Sequence, residues 1–476
     1  MTEKGDKLSR RSFLKFATAG AIALAAGAGG YYYYTSTRAP EQPISTSEIK
    51  GKIAYWQWDT TEIGVADTKE RIKRLTDKYP DASVELTVMN VTDLNKRLGT
   101  AIAAKQGIPD VAETNAPTVF RYAAMGALVP LDEYLNMWRT PGRGSDAPLL
   151  KDDYFPFLLA YVNYKGHHYG FPITQGCNHV VVRKDMIREA GFKVPGLDTS
   201  NTKHDGTDDA WTWEQYKEVR HALTNKAKGI WGGGGSGQSP IWHLWSTLCY
   251  QQDLKIIFEE PKGSDKYVLD FDNDRGVAVM EEIVDEYQNT LPEGAVNWEM
   301  TDYQNLLKAK KLACYAGNPE PLTSMMREMG GDFPAAAIPP LKGKVKATKA
   351  GSRVQCIFNS PNLNLKTALE WCRYWMGVHE YKGKIYNYAY NMFANPVLRS
   401  DAKDPKYLEL LKPDLGWIYG LQDGAFVARA LPSHVQWGKI SDAAAKYCQS
   451  VAIGKMTPEK ANRTLVDETW QYLKET

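Results

Sequence analysis

Aromatic and polar side chains stand together at the ends of two predicted strands. Trp56, Trp58 and Asp59 close the first predicted strand, and Glu113 and Asn115 close the third. Aromatic rings cover the apolar faces of a sugar, whereas carboxylates and amides bind its hydroxyls. Ligands of α/β proteins bind in loops that follow the carboxyl ends of parallel strands. The pattern predicts a site for a hydroxyl-rich ligand; rings in the core and side chains that cap a helix are the structural alternatives.

Residue types that catalysis or metal binding needs lack the required spacing. Residues 232–237 are rich in glycine but contain no Lys-Ser or Lys-Thr pair, so a flexible turn is expected instead of a phosphate-binding loop. His167 and His168 are adjacent, without an H-E-x-x-H context, and no G-x-S-x-G stands at a plausible nucleophile turn. The six cysteines form no C-x-x-C pair, which favours buried free thiols. We therefore expect no catalytic centre, no metal and no cofactor.

Composition narrows the class of protein further. The 476 residues include 58 basic and 56 acidic ones, for a formal net charge of +2, which argues against a nucleic-acid-binding protein. Hydrophobic residues make up 43% and charged residues 24%, as in soluble globular proteins, so a polytopic membrane protein is excluded. The aromatic content of 11%, with 14 Trp and 27 Tyr, indicates that some rings face a ligand.

The N-terminus resembles an export signal. Arg10 and Arg11 lie in the run S-R-R-S-F-L-K, which is followed by an apolar stretch rich in Ala and Gly, as in twin-arginine signals. Residues 26–28 form an A-x-A-like cleavage site, so residues 1–28 are expected to be a removed signal. Four consecutive tyrosines at 31–34 favour a membrane interface and leave an uncleaved anchor as the alternative. Residues 29–49 are expected to be a polar tether.

Periodicity along the next segment predicts alternating strands and helices. The spacing of apolar residues predicts strands at 53–56, 83–89 and 109–113, and helices at 68–79, 93–106 and 119–125. Strands and helices that alternate at this spacing imply parallel strands joined by right-handed crossovers. The first part of the body is therefore predicted to be an α/β lobe. Further on, residues 164–172 are predicted to form a hairpin, and residues 198–209 a polar insertion.

Several segments, in order, resemble the extracellular solute-binding proteins of ABC importers, in the group that contains maltose-binding protein. Residues 128–135 (L-V-P-L-D-E-Y-L) are similar to the family's L-x-P-L-D-x-Y-L, and residues 164–172 to its Y-x-G-K-x-Y-G-x-P. Other matching segments are 108–111, 181–191, 210–215, 310–317, 333–340, 368–376 and 391–396. The chain departs from the pattern at Arg183, where Asn is usual, and at residues 310–312, which lack a Gly.

The resemblance implies a fold and a division of the chain. The fold is α/β with two lobes, of the type II periplasmic-binding-protein class, with hinge crossings between the lobes and the ligand in the cleft. The crossings are expected near residues 173–178, 313–317 and 351–358. Residues 50–174 and 315–352 are expected to form the N-terminal lobe, and residues 175–314 and 353–476 the C-terminal lobe. Closure on a ligand requires contacts from both lobes.

The crossings and the second lobe supply further candidate ligand-binding residues. Besides the five strand-end residues, the expected set is Gln175, Asn178, Trp231, Trp242, Trp245, Tyr315, Asn318, Glu320, Arg353, Tyr388 and Asn391. Ordinary hinge hydrogen bonds are the structural alternative for Gln175 and Asn178, and a surface or structural role is the alternative for Arg353. For Tyr388 and Asn391 the alternative is an aromatic helix surface. Trp242 and Trp245 share one helical face that a core would also use.

The function implied by the resemblance is solute capture outside the cytoplasm. We expect the chain to bind a carbohydrate, an oligosaccharide by preference, and to deliver it to the transmembrane subunits of an ABC permease. We expect it to be periplasmic or at the cell surface and to have no enzymatic activity. The alternatives are an exported carbohydrate-active enzyme, a sensor subunit, or a binding protein for a non-sugar solute such as a peptide, a glycerol phosphate or a polyamine.

Overall fold

The computed structural model describes most of the chain after the N-terminal segment. It covers residues 48–235, 241–261, 263–317, 334–377, 379–382, 384–387, 395–405, 408 and 422–475. The predicted export signal and most of the predicted tether lie outside these residues. Within the described part, no helix combines the length and the apolar character that a membrane span requires.

A five-stranded sheet organises the first lobe. Its order is β2-β1-β3-β14-β6, where the strands are β1 (Gly51–Gln57), β2 (Ala82–Val88), β3 (Val111–Thr114), β6 (Phe171–Pro172) and β14 (Val354–Ile357). β1 pairs in parallel with β2 and with β3, whereas β14 runs antiparallel to β3. The three parallel strands and their order along the chain confirm the predicted α/β lobe.

The helices between these strands begin where the side chains can cap them. Helix α1 (Glu62–Lys78) is capped by Thr61, α2 (Val91–Ala104) by Asn90, and α3 (Ala116–Ala124) by Asn115. Helix α2 buries its apolar stripe, and β1 buries Ile53 and residues 55–57. All three predicted helices and all three predicted strands of this region are confirmed, with shifts of one to three residues at their ends and of six residues at the start of α1.

A second, three-stranded sheet organises the other lobe. Its order is β11-β8-β12, formed by β8 (His179–Arg183), β11 (Cys314–Gly317) and β12 (Ala335–Ala337). This pairing corrects the expected division of the chain. Residues 315–317 were expected to begin an N-terminal-lobe segment, but β11 pairs antiparallel with β8 along its whole length.

The lobe expected for residues 353–476 is also corrected, because part of this segment joins the first sheet. Residues 353–476 were expected to lie wholly in the C-terminal lobe, but β14 inserts between β3 and β6 of the first sheet, with Gln355 opposite Glu113. The expected crossing at 313–317 is therefore wrong, because that segment stays within the second sheet. Short apolar strands carry no local mark of the sheet they join, which is why the two were exchanged.

Hydrogen bonds join two crossings side by side. The amide of Arg353 donates to Thr174 Oγ1 at 3.0 Å, and the amide of Ile173 donates to the Arg353 carbonyl at 2.8 Å. Nearby, β7 (Gly176–Cys177) pairs antiparallel with β13 (Thr348–Gly351). These contacts join the segments near residues 173–178 and 351–358, where two of the three crossings are expected.

The remaining elements pack around the two sheets. The short hairpin strands β4 (Asn163–Tyr164) and β5 (His167–His168) confirm the predicted hairpin. Further strands are β9 (Ile257–Glu259), β10 (Tyr267–Leu269), β15 (His379–Tyr381), β16 (Lys384–Tyr386) and β17 (Ala428–Arg429). Further helices are α4 (Asp132–Met137), α5 (Leu150–Asp153), α6 (Pro156–Tyr161), α7 (Lys184–Glu189), α8 (Trp213–Ala222), α9 (Trp242–Gln251), α10 (Asp274–Val284), α11 (Met300–Lys308), α12 (Leu365–Arg373), α13 (Arg399–Ala402), α14 (Trp437–Ala452) and α15 (Pro458–Leu473).

Candidate functional site

The first group of candidate residues meets at the carboxyl ends of β1 and β3. Asp59 Oδ2 accepts a hydrogen bond from the Arg353 guanidinium at 2.8 Å, and the same guanidinium lies 5.8 Å from the centre of the Trp58 ring. Asp59 is buried, whereas Trp58 is half-buried. We call Trp58, Asp59, Glu113 and Arg353 the strand-end cluster. It joins residues from β1, from β3 and from the crossing that precedes β14, so the fold brings together four of the predicted site residues.

Asp59 is held in place by the start of α1. Its Oδ1 accepts hydrogen bonds from the amide of Thr61 at 3.0 Å and from the Thr61 hydroxyl at 2.6 Å. Gly64, in the first turn of α1, lies so close that a Cβ there would be 2.2 Å from Asp59 Oδ2. The helix start therefore requires a residue without a side chain at position 64, and the carboxylate orientation is fixed before any ligand binds.

Glu113 is the most deeply buried charge-bearing residue of this cluster. Its Oε2 accepts hydrogen bonds from the amides of Trp58 at 2.8 Å and Asp59 at 3.3 Å. Its Oε1 is buried and has no hydrogen-bond partner among the described residues. Burial raises the pKa of Glu113 to about 7, in opposition to the nearby charge of Arg353 and the two amide hydrogen bonds. The free oxygen can accept a hydrogen bond from a ligand hydroxyl or, when protonated, donate one.

A second group of residues meets at the start of α9. Lys349 Nζ lies 3.0 Å from His243 Nδ1 and 5.5 Å from the centre of the Trp242 ring. Burial lowers the pKa of Lys349 to about 8, and burial together with the Lys349 charge lowers the pKa of His243 well below its usual value. A neutral His243 accepts a hydrogen bond from the ammonium group. We call Asn178, Trp242, His243 and Lys349 the helix-start cluster.

Asn178 ties this cluster to the first crossing. Its Nδ2 donates to the carbonyl of His243 at 3.0 Å and to Thr247 Oγ1 at 3.1 Å, and its amide donates to the Lys349 carbonyl at 2.9 Å. Lys349 and Arg353 belong to one short segment, β13 and the residues after it. This segment therefore carries one cation into each cluster and links the two across the crossings.

The part of the glycine-rich run that the structure describes, residues 232–235, is tightly packed. The amides of Gly234 and Gly235 donate to Glu286 Oε1 at 3.1 and 2.7 Å. A Cβ on Gly232 would be 1.9 Å from the Arg220 carbonyl. Arg220 in turn pairs with Glu286 at 3.1 Å in the interior. The expected flexible turn is wrong for this part of the run, because close backbone approach explains the glycines.

Three predicted site residues lie in the core instead. Trp245 is fully buried, with its ring 5.4 Å from Phe271, and Tyr315 is fully buried in β11. Trp56 is buried under the guanidinium of Arg97, which lies 4.5 Å from its ring centre. The structure therefore places these three rings in the core, where side-chain packing explains them without a ligand.

The other predicted residues have mixed positions. Asn115 caps α3, with Oδ1 accepting from the Thr118 hydroxyl at 2.9 Å, as the structural alternative proposed. Trp231 is half-buried beside Leu312 and bonds through its backbone to residues 311 and 313. Gln175 faces a different cavity, described below. Asn318, Glu320, Tyr388 and Asn391 lie outside the described residues.

Two members of the helix-start cluster were not predicted as ligand-binding residues. Lys349 is buried and His243 is half-buried, and neither lies in a recognisable motif. A lysine between small residues, as in T-K-A-G, is the one local sign, because a buried strand rarely carries a charge. His167 and His168, by contrast, both bond to Asp132, at 3.1 and 2.7 Å.

A family comparison and a curated relative match part of the chain. A sequence model of the family described as bacterial extracellular solute-binding protein matches residues 70–385. A mannitol-binding protein of Pseudomonas aeruginosa is 24% identical over 166 residues, which is 34% of this chain and 33% of that protein. The chain therefore aligns with only about a third of the length of this relative.

Solved structures of similar shape match nearly the whole chain. The GacH receptor of Streptomyces glaucescens, solved unliganded and with acarbose, matches with a TM-score of 0.68 at 17% identity, covering 89% of this chain and 99% of that one. The sugar-binding protein MalE of Xanthomonas citri matches at 0.69 and 17% identity, covering 89% and 98%. A mannitol-bound ABC transporter solute-binding protein of Agrobacterium vitis matches at 0.64 and 16%, covering 89% and 98%. These likenesses confirm the two-lobe periplasmic-binding-protein fold.

Proposed function

Because this chain belongs to the bacterial extracellular solute-binding proteins, we propose that it captures a carbohydrate or polyol in its interlobe cleft and delivers it to an ABC permease. The observation that carries the proposal is the pair of clusters on the two sides of the crossings. Each combines a half-buried Trp, Trp58 or Trp242, with fixed charged or polar groups. A ring and a set of oriented acceptors are what a polyhydroxylated ligand needs.

The chemistry of the strand-end cluster suits a neutral, hydroxyl-rich ligand. Asp59 and Arg353 neutralise each other at 2.8 Å, so the pair offers hydrogen bonds without a large net charge. Glu113 Oε1 supplies a further acceptor. Similar structures have been solved with mannitol, ribitol or maltotetraose bound, which supports sugars and polyols as the first solutes to test.

The remaining parts of the proposal concern the setting of the protein. We propose a periplasmic or cell-surface location, export by the twin-arginine route through Arg10 and Arg11, and no enzymatic activity. Membership of an extracellular family supports the location, and the S-R-R-S-F-L-K run supports the route. We also propose that the first lobe forms around the five-stranded sheet and the second around the three-stranded sheet.

The test is a thermal-shift screen with sugars and polyols, followed by calorimetry. A bound solute raises the melting temperature, and the rise grows with the logarithm of its concentration over Kd. We expect Trp58→Leu to weaken binding about tenfold, since it removes the ring that covers the ligand face. The matched control is Trp298→Leu, a half-buried Trp that packs on Tyr303 at 5.1 Å, outside both clusters. Equal losses in the two variants, or a ligand recovered chemically altered after long incubation, would contradict the proposal.

A further inference from the structure

A cavity of about 620 Å³ lies apart from both clusters. Its buried end is formed by Phe155, Gln175 and Asn395, and its walls include Ala425 and Phe426. The polar insertion at 198–209 contributes residues 203–205 to its rim. No lining residue belongs to the strand-end or helix-start cluster. The volume is within the range of small-molecule sites, and such sites combine an apolar lining with a few polar groups.

The buried end holds a hydrogen-bond acceptor without a donor. Gln175 Nε2 donates to the Pro396 carbonyl at 2.6 Å, which fixes the amide group. Gln175 Oε1 is buried and has no hydrogen-bond partner within the described part of the chain. A buried carbonyl oxygen without a donor is unfavourable. An occupant with a hydroxyl group at its inner end would satisfy this oxygen.

The walls are suited to an aromatic body. Phe155 is buried and meets Phe426 edge to face, with ring centres 5.4 Å apart. Phe426 is 38% exposed, so it marks the transition from the interior to solvent. Pro396 and Leu408 add further apolar lining. A flat ring can lie against these surfaces and gain contact with the aromatic pair.

Two lysines and one aspartate line the rim of the cavity, so its charged side chains are positive on balance. Lys203 and Lys403 are both exposed lining residues. Hydrogen bonds from Thr207, and in smaller part the charge of Lys203, lower the pKa of Asp205. The rim carboxylate, Asp205, already accepts hydrogen bonds from the hydroxyl of Thr207 at 2.6 Å and from its amide at 3.1 Å. The lysines therefore favour an anionic group at the outer end of an occupant.

We propose that this cavity is a second ligand site, which binds a hydroxylated aromatic carboxylate with its hydroxyl on Gln175 and its carboxylate between the two rim lysines. The site goes beyond solute capture in the cleft and does not depend on it. Gln175 lies on the first crossing, next to Thr174, whose hydroxyl accepts from Arg353. An occupant is therefore anchored directly on a segment that connects the lobes.

The experiment uses calorimetry on the full chain with 4-hydroxyphenylacetate as the probe. We expect binding below millimolar Kd, and binding at least about tenfold weaker for phenylacetate and 4-methoxyphenylacetate, because neither donates a hydrogen bond from its para position. Equal affinity for the three compounds, or no binding of the first at ten millimolar, would overturn the proposal. This comparison uses the unaltered chain, so it does not depend on a variant folding.

Two variants locate the binding. Ala425→Phe fills the cavity and is expected to abolish binding, while Gln175→Leu is expected to reduce it to the level of phenylacetate. Undiminished affinity in both variants would place the probe elsewhere and refute the site. A sugar bound in the cleft is a separate measurement, so failure of the second site and failure of solute capture are distinguishable.

Discussion

Replacing Glu113 with glutamine tests how strongly the fold opposes its ionisation. The residue is fully buried, and its pKa is raised to about 7 from the ordinary 4.5. The folded state therefore binds a proton more tightly than the unfolded chain does. The stability that this provides is fully present below about pH 4.5 and is lost as the pH rises through about 7.

The pKa values set the size of the effect. At 1.36 kcal/mol for each unit between the folded and unfolded pKa, the wild type loses about 3 kcal/mol of unfolding free energy over this range, as an order of magnitude. Glu113→Gln has no such ionisation. Its unfolding free energy, relative to that of the wild type, should therefore rise by about 3 kcal/mol between about pH 4 and about pH 8.

The assay is urea unfolding of the ligand-free chain, followed by Trp fluorescence across this pH range. Other titrating groups cancel in the difference between wild type and variant. The control is Glu218→Gln, an exposed glutamate on α8, for which the two curves should stay parallel. A wild-type-minus-Glu113→Gln difference that stays constant with pH would refute the assignment of Glu113 as a buried, proton-binding carboxyl.

Three other outcomes follow from contacts described above. Arg353→Met should lower the free energy of unfolding in urea by about 2 kcal/mol, because Asp59 loses its ion pair inside the protein. Adding Asp59→Asn should recover part of this loss, and purely additive effects of the two substitutions would contradict the coupling. Gly64→Ala should destabilise the protein by more than about 2 kcal/mol, because the new Cβ would lie 2.2 Å from Asp59. Gly99→Ala should instead stabilise α2 by about 0.5–1 kcal/mol, because the nearest atom to its Cβ is 3.9 Å away. Similar shifts in melting temperature for the two variants would refute this. A thiol-specific chromogenic reagent should find none of the six cysteines in the native protein and all six after denaturation, since all are buried and unpaired; rapid native reaction would show that the cores open.

Local sequence patterns were sufficient to predict the first lobe up to residue 125. The elements there alternate in order, and each carries its own apolar period and its own cap, as in α1 and α2. The sheet that a late strand joins was not predictable, because β11 and β14 are both four-residue buried strands. Their pairing is decided by contacts with β8 and β3, which the local sequence does not contain.

The candidate site was predictable only where a strand end fixes it. Trp58 lies one residue past β1 and is half-buried, whereas Trp56 within the strand is buried. Trp242 and Trp245 share a helical face, yet the first stands in the opening turn of α9 and the second packs in the core. Nothing in the sequence distinguishes the members of each pair, because depth in the fold decides their exposure. Lys349 was missed for the same reason.

The position of β14 has a consequence for how the protein is made. The five-stranded sheet lacks the neighbour of β3 until residues 354–357 have been synthesised. Until then the buried strand β3 has an open edge, of the kind that pairs with other chains. We expect the nascent chain to need protection through most of its synthesis, and a fragment that stops before residue 354 to aggregate in place of folding as an independent lobe. The sheet of the first lobe can therefore be completed only after residues 354–357, late in the chain, have been synthesised.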